Sequence, residues 1–225
     1  MFYSGTKFRL NLIFFLLGVG FVYAQGDVLD DRKSEFKRLT FYDYRGTNSI
    51  DLAFGTSVPN GDLLEPQFEI YFKGGYKLHF AEHFNLGVSY SKYNIAFKDI
   101  YNQGFMSFDI NLEYLMLPYN KFTPFIYAGY GYNAANYFES TSSKVQGAAG
   151  LEYIFADRFG LRLFAEYNYA FSDELDGLIA GSGDDTFIRT GLGLHMYFGG
   201  RKKKERIRKK LKTVINSNLI VPYNK

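Results

Sequence analysis

Residues 189–198, RTGLGLHMYF, alternate between apolar side chains and polar or small ones. Leucines, a methionine and the final Phe198 occupy one parity, whereas Arg189, His195 and two glycines occupy the other. Successive side chains of a β-strand point to opposite faces of a sheet, so this stretch predicts a strand with one apolar face. Gly199 and Gly200 follow directly and end the pattern.

The same two-residue period recurs throughout Ser49–Phe198 and predicts eight strands, most of them ten to thirteen residues long. One parity is apolar in stretches such as Phe68–Phe80, Met106–Met116 and Leu161–Phe171. In the strand at 124–136, aromatic residues occupy both parities, so the sequence leaves its facing open.

Two architectures compete for this pattern, a soluble sandwich and a membrane barrel. Sandwich strands are usually about five or six residues long, whereas tilted membrane strands need about 9–11 residues with one continuous apolar face. A bilayer also requires every backbone amide to be paired, so a spanning sheet must close on itself. The sequence therefore predicts an all-β fold, an eight-stranded antiparallel up-and-down transmembrane β-barrel.

The connections between the predicted strands are of two kinds. Compact turns are expected at 81–84, 118–124 and 156–159. Longer connections, rich in Gly, Ser, Asn and acids, are expected at Val58–Pro66, Lys98–Gly104, Asn136–Lys144 and Ser172–Asp185. Short periplasmic turns and longer outer loops are usual in membrane barrels, so both termini are expected in the periplasm.

The first 24 residues predict a cleaved signal peptide. Lys7 and Arg9 precede a fifteen-residue apolar run, and Ala24 offers a cleavage site before Gln25. A membrane anchor is the alternative, but a spanning helix needs about 20 residues. The expected organisation is a signal peptide at 1–24, a periplasmic segment at 25–48, the barrel at 49–198 and a basic periplasmic tail at 199–225.

Charge is distributed unevenly along the chain. Residues 25–198 hold 14 basic and 22 acidic residues, whereas residues 199–225 hold ten basic residues and the single acid Glu205. The chain has no Cys, which excludes disulfides, Cys-based metal sites and a lipid-modified Cys. No nucleic-acid module, phosphate-binding glycine motif or cofactor motif is present, so neither a cofactor nor a nucleic-acid partner is expected.

Residues 49–198 resemble the small outer-membrane β-barrels similar to OmpA and OmpX, and related barrel domains common in Bacteroidota. The resemblance rests on the strand pattern, on TPFIYAGYGYN at 123–133 and on the last strand. It implies an outer-membrane location in contact with lipid and lipopolysaccharide. It also implies that the barrel-assembly machinery recognises the last strand, through Arg189, Gly191, Leu194, Met196 and Phe198.

The polar parity predicts a charged barrel interior. An eight-stranded barrel has room for little more than its own side chains, and buried charges must be paired. The expected set holds six acids and four bases, Asp51, Glu69, Asp109, Glu113, Glu152, Glu166, Lys73, Lys77, Arg162 and Arg189. We expect a plugged lumen; a narrow ion or water path is the alternative.

Candidates for chemistry are few. The three histidines are His79, His83 and His195, and none is followed by a Ser two positions later, as the barrel lipid A deacylases would require. The last outer loop collects five acids, which we interpret as solvated carboxylates rather than a calcium site, because their spacing fits no EF-hand loop. They are Asp173, Glu174, Asp176, Asp184 and Asp185.

The tail is strongly basic. Its cations in the first twelve positions are Arg201, Lys202, Lys203, Lys204, Arg206, Arg208, Lys209, Lys210 and Lys212. Ile207, Leu211, Val214 and Ile215 recur among them at helical spacing and predict a short amphipathic helix. Such a helix could lie on an anionic leaflet or dock on an acidic partner, with 216–225 as an extended peptide. A disordered, solvated tail is the alternative.

Two functions remain open at this stage. One is a non-enzymatic barrel with a structural or surface-interaction role. The other is an accessory subunit of an outer-membrane secretion or fibre-assembly complex, docking through its periplasmic ends. A lipid-modifying enzyme is a third hypothesis, because folds of this kind host many functions. It is the weakest of the three, because no catalytic constellation is recognisable in the sequence.

Overall fold

The structure, a computed structural model, describes residues 28–60, 65–98, 101–138, 140–171 and 185–216. The predicted signal peptide and the C-terminal extended peptide beyond Asn216 lie outside these ranges, as do four of the five acids of the last loop.

The chain divides into two compact units, Met1–Lys37 and Arg38–Lys225. In the first, the described residues are helical. The elements in chain order are α1 (Val28–Tyr44), β1 (Asn48–Asn60), β2 (Glu69–His79), β3 (Phe84–Phe97), β4 (Tyr101–Leu115), β5 (Phe122–Ala135), a 3-10 turn (Asn136–Phe138), β6 (Thr141–Ala156), β7 (Phe159–Ala170), β8 (Thr186–Phe198) and α2 (Arg201–Asn216).

The eight strands form a closed barrel in which each strand pairs with its sequence neighbours. Every pairing is antiparallel, and β1 closes the barrel against β8 from Asn48↔Phe198 to Asn60↔Thr186. Closure removes the unpaired edges that an open sheet would expose. The predicted eight-stranded, antiparallel up-and-down barrel is thus confirmed.

Apolar side chains cover the outside of the barrel and alternate with buried ones. Leu163 and Ile110, for example, lie on the outer face with more than half of their surface exposed. The facing of β5, which the sequence left open, is now resolved. Phe125 and Tyr127 point inward, whereas Ile126 and Tyr130 point outward.

The helices of the described ranges are too short or too polar to cross a membrane.

Three of the predicted long connections are shorter than expected. β1 continues to Asn60 and β4 already begins at Tyr101, so β3 and β4 are joined by only 98–100. β6 begins at Thr141, three positions after the last residue of the 3-10 turn. Pairing between neighbouring strands overrides the local turn preference of Ser, Asn and Gly here, because each ladder position satisfies backbone hydrogen bonds.

Candidate functional site

The barrel has two ends that differ in structure. At the terminal end, β1 begins, β8 ends, and the turns β2–β3, β4–β5 and β6–β7 are found. The remaining connections lie at the opposite end. Inward-facing charged residues form two groups between these ends, which we call the terminal cluster and the distal cluster.

The terminal cluster is built around the carboxylates of Glu113 and Glu152. Arg162 donates to Glu113 at 2.6 and 2.8 Å and to Glu152 at 2.6 Å, so one guanidinium bridges the two acids. Lys77 donates to Glu113 at 2.7 Å, and the hydroxyl of Tyr197 donates to Glu152 at 2.5 Å. All five side chains are buried. Charge-assisted hydrogen bonds of this kind offset the desolvation of the buried charges.

The distal cluster is built around Glu166. Arg189 donates to this carboxylate through Nε at 2.6 Å and also through Nη2, and Lys73 lies 3.2 Å from it. The hydroxyl of Tyr127 donates to the same carboxylate. Lys144 completes the cluster by pairing with Asp109 at 3.1 Å.

Aromatic rings fill the space around the buried cations. The guanidinium of Arg189 lies 4.7 Å from the ring centroid of Tyr71 and 5.2 Å from that of Tyr93. Arg162 lies 4.2 Å from the ring of Phe125. Cation–π contacts are strongest where the cation is desolvated, so these rings compensate part of the cost of burial.

Nine of the ten residues predicted for the interior are buried there. Glu69 is the exception: it is half-buried at the first residue of β2 and makes no ion pair with any residue that the structure describes. Two further buried cations are not marked by the sequence pattern. Lys144 lies on β6 and not in the predicted loop Asn136–Lys144, and Arg45, which precedes β1, is buried at the terminal end.

Small cavities remain inside the barrel. Two of about 20 and 10 Å³ share the lining residues Asp51, Lys73, Lys77 and Tyr127. A cavity needs roughly 10–15 Å³ to hold one water molecule. Oδ1 of Asp51 is buried and has no hydrogen-bond partner among the described residues. These cavities can therefore accept about one water each, which would satisfy Asp51.

A cap formed by the end of α1 and the first half of α2 closes the terminal end, and Arg45 connects this cap to the barrel. Arg45 is fully buried. It donates to Glu152 at 2.7 and 2.9 Å and to the backbone oxygens of Pro118 and Asn120 at 2.6 and 3.0 Å. Burial lowers the pKa of Arg45, but the charge of Glu152, the Tyr197 side chain and the hydrogen bonds to Glu152 together outweigh burial and raise this pKa above its ordinary value. No sequence period marks Arg45, so its role was not predictable.

The predicted amphipathic helix of the tail is present as α2, and it belongs to the same cap. Ile207 is buried against Phe41 and Tyr42 at the end of α1, and Leu211 packs against this group. Lys204 pairs with Asp43. The first half of α2 is therefore part of the folded cap, which argues against a wholly disordered tail.

The other predicted tail cations differ in their surroundings. Seven of them are exposed, namely Arg201, Lys202, Lys203, Arg206, Arg208, Lys209 and Lys210, and the side chain of Lys212 lies outside the described set.

Two glycines turn the chain from β8 into α2. Gly199 and Gly200 have positive φ angles of 77° and 81°, a conformation that favours glycine.

The predicted assembly-signal residues lie on both faces of β8. Leu194, Met196 and Phe198 are exposed on the outside, whereas Arg189 faces the interior. Gly191 also faces inward, and a Cβ there would lie 2.7 Å from the backbone oxygen of Phe54. Gly191 thus permits close approach of β8 to β1.

The three histidines lie toward the terminal end of the barrel. His79 and His195 are buried, with ring centroids 5.7 and 5.9 Å from that of Tyr197. His83 lies in the β2–β3 turn, and its Nδ1 is 2.8 Å from the backbone oxygen of Leu115. Within the described ranges, no group of three or more His, Asp or Glu side chains is placed to hold a metal ion.

The predicted acidic loop needs one correction. Asp185, which was expected to be solvated, is 5% exposed. Its backbone oxygen accepts from the amide of Ala170 at 2.9 Å. The residue therefore continues the pairing at the end of β7.

Comparison with known proteins supports the fold. No protein-family model matches the chain, and no curated protein matches it. Among solved structures, it is similar to Neisserial surface protein A, with 15% identity over 68% of this chain and 98% of that one, and a TM-score of 0.53. Less similar are Ail of Yersinia pestis (16% identity, 68% and 99% coverage, TM-score 0.41) and the outer-membrane enzyme PagL (14%, 67% and 99%, 0.40).

Proposed function

We propose that this protein is a non-enzymatic outer-membrane barrel with a plugged lumen, which acts through the surfaces at its two ends. The observation that carries the proposal is the combination of an apolar exterior with an interior filled by paired charges. Soluble proteins rarely expose an apolar surface of this size to water. A closed barrel satisfies its backbone within a bilayer, and in bacteria such barrels span the outer membrane.

The filled interior supports a structural role over a porin. Arg162 on β7 reaches across the lumen to Glu113 on β4, and Arg189 on β8 binds Glu166 on the adjacent strand β7. Aromatic rings lie against both guanidinium groups. The cavities between them are each about the size of one water molecule. The cap adds a second closure at the terminal end, through Arg45. Such a barrel offers no path for a solute.

Three measurements test this proposal. The protein should fractionate with the outer membrane, and unheated samples should migrate faster on a detergent gel than boiled ones, because a closed barrel resists detergent. In planar bilayers it should show no steady conductance. A soluble protein with one migration position would refute the membrane location, and stable single-channel steps would refute the plugged lumen.

Lipopolysaccharide and the barrel-assembly machinery are the partners that this role implies. The exposed apolar residues Leu194, Met196 and Phe198 stand on the last strand, where an assembly signal is expected. Replacing Phe198 by Ser should lower the yield of assembled barrel in cells while leaving refolding from urea into detergent unchanged. Equal yields in cells would argue against a signal at this residue.

A second candidate function is that of an accessory subunit of an outer-membrane secretion or fibre-assembly complex. The two-helix cap favours it, because segments outside the barrel form a defined surface rather than loose ends. Purification of the native complex in mild detergent should then retain a stoichiometric partner. A protein that purifies alone under these conditions supports the first function.

An enzyme is the least supported alternative. A catalytic group must reach its substrate, but His79 and His195 are buried within the barrel. His83 contacts Tyr114 and Tyr119 at the terminal end. We therefore expect no change in lipid A composition when the protein is overproduced.

A further inference from the structure

We propose that the exposed cationic face of α2 binds the phosphate groups of anionic phospholipids in the leaflet at the terminal end of the barrel. The α2 face is defined here as the exposed cations among residues 201–210. This inference rests on the proposed function only in requiring that the barrel span a bilayer.

The first argument is position. Exposed aromatic residues surround the barrel at the terminal end, among them Tyr76 and Phe198, whose rings are 6.2 Å apart, and Phe155 and Phe159, whose rings are 6.3 Å apart. Aromatic belts of this kind mark the headgroup level of a membrane. α2 begins three residues after Phe198, so its first residue lies within about 10 Å of that belt, given at most 3.3–3.6 Å per residue.

The second argument is that the cap holds α2 at this level. Ile207 is only 4% exposed because it packs on Phe41 and Tyr42. Phe41 in turn contacts His79 inside the barrel, with ring centroids 5.9 Å apart. Packing fixes the helix relative to the barrel, so the helix backbone does not have to be positioned when its charged side chains meet a surface.

The third argument is the composition of the α2 face. From Arg201 to Lys210 the exposed residues are cations and the single acid Glu205, which pairs with Arg201 at 3.2 Å. The apolar residues Ile207 and Leu211 point into the cap. Protein interfaces usually depend on buried aromatic or aliphatic anchors beside their charges. A face that offers only long, flexible cations suits a diffuse anionic surface instead.

The experiment uses the full mature chain reconstituted into lipid nanodiscs of two compositions, phosphatidylcholine alone and phosphatidylcholine mixed with phosphatidylglycerol. The chain contains no Cys, so Glu205→Cys provides one unique position for a fluorophore on α2. A spin-labelled headgroup lipid then reports by quenching how close α2 lies to the leaflet. We expect at least twofold stronger quenching with phosphatidylglycerol, and loss of that difference at high salt.

A charge-reversal variant provides the second arm. Lys202→Glu, Arg206→Glu and Arg208→Glu together should abolish the lipid-dependent quenching, because they replace three exposed cations without touching Ile207. The matched control, Lys92→Glu with Lys98→Glu, changes exposed charges on β3 and on the turn after it at the opposite end, and should leave the quenching unchanged. Heat-modified migration of each variant checks that the barrel is closed.

The outcomes separate the two proposals. A closed barrel whose α2 quenching is independent of phosphatidylglycerol, or survives charge reversal, overturns the lipid contact and leaves the proposed function standing. Capture of an acidic protein by α2 under those conditions would confirm that the face has a protein partner instead. Failure of the barrel to insert into nanodiscs overturns the proposed function itself.

Discussion

Replacement of Arg45 by Met should open the cap without unfolding the barrel. Arg45 makes four hydrogen bonds at the terminal end, two to Glu152 and one each to the backbone oxygens of Pro118 and Asn120. Met preserves much of the volume of the side chain but removes every donor. Glu152 keeps its bonds to Arg162 and Tyr197, so the change does not leave an isolated charge in the lumen.

The magnitude follows from those contacts. Removing one partner of a buried ion pair typically costs about 3–5 kcal/mol. The lower end applies here, because Arg162 continues to neutralise Glu152. A cost of about 3 kcal/mol corresponds to roughly a hundredfold rise in the population of the open cap, at 1.4 kcal/mol for each factor of ten.

Thiol reactivity measures that population. Ser49 is fully buried on β1 near the terminal end, so Ser49→Cys should react slowly with a water-soluble thiol reagent while the cap is closed. Adding Arg45→Met should accelerate the reaction about a hundredfold. The control is Lys121→Met, whose side chain contacts the ring of Tyr44 at 5.8 Å, and this change should alter the rate less than twofold. Equal rates for the two variants would refute the assignment of Arg45 as the fastening residue.

Three further tests, two of them comparisons of a pair of substitutions, address the rest of the structure. Leu163→Arg, on the outer face, should lower the free energy of unfolding in lipid vesicles by about 2–4 kcal/mol, whereas Ala148→Ser, half-buried toward the lumen, should cost under about 1 kcal/mol. Glu166→Gln should cost about 3–5 kcal/mol in urea titrations because it leaves buried cations unpaired, while Glu69→Gln at the rim should change stability by under about 0.5 kcal/mol. Ile207→Ala should increase the proteolysis of α2 and leave heat-modified migration unchanged; resistance equal to that of the parent chain would contradict its packing in the cap.

Much of the barrel follows from local pattern. A period of two residues is a property of the strand itself, so the facing of residues such as Leu163 and Glu166 could be read without knowing any partner strand. The bilayer requirement for paired amides then made closure the only arrangement for eight such strands. β5 escaped this reasoning because Tyr127 and Tyr130 are chemically alike but lie on opposite faces.

The cap could not be derived in this way. Arg45 stands in a segment with no apolar period, and its partner Glu152 is 107 residues away. Only the closed barrel brings the two together, because closure places the terminal end of β6 next to the end of α1. Lys144 is a similar case: its neighbours suggest a loop, and pairing with β7 turns it inward.

The amino-acid sequence alone determined the strands, the apolar outer face of all but β5, most of the inward-facing charges and the helical period of the tail, because each of these depends on neighbours a few residues apart. The tertiary structure alone decided which acid each cation binds and where the terminal segments pack. Those contacts join residues far apart in the chain, and the register of closure between β1 and β8 sets their distances. In this protein the polar parity therefore predicted a charged interior, while closure of the barrel brings Arg45, which precedes the first strand, into contact with Glu152.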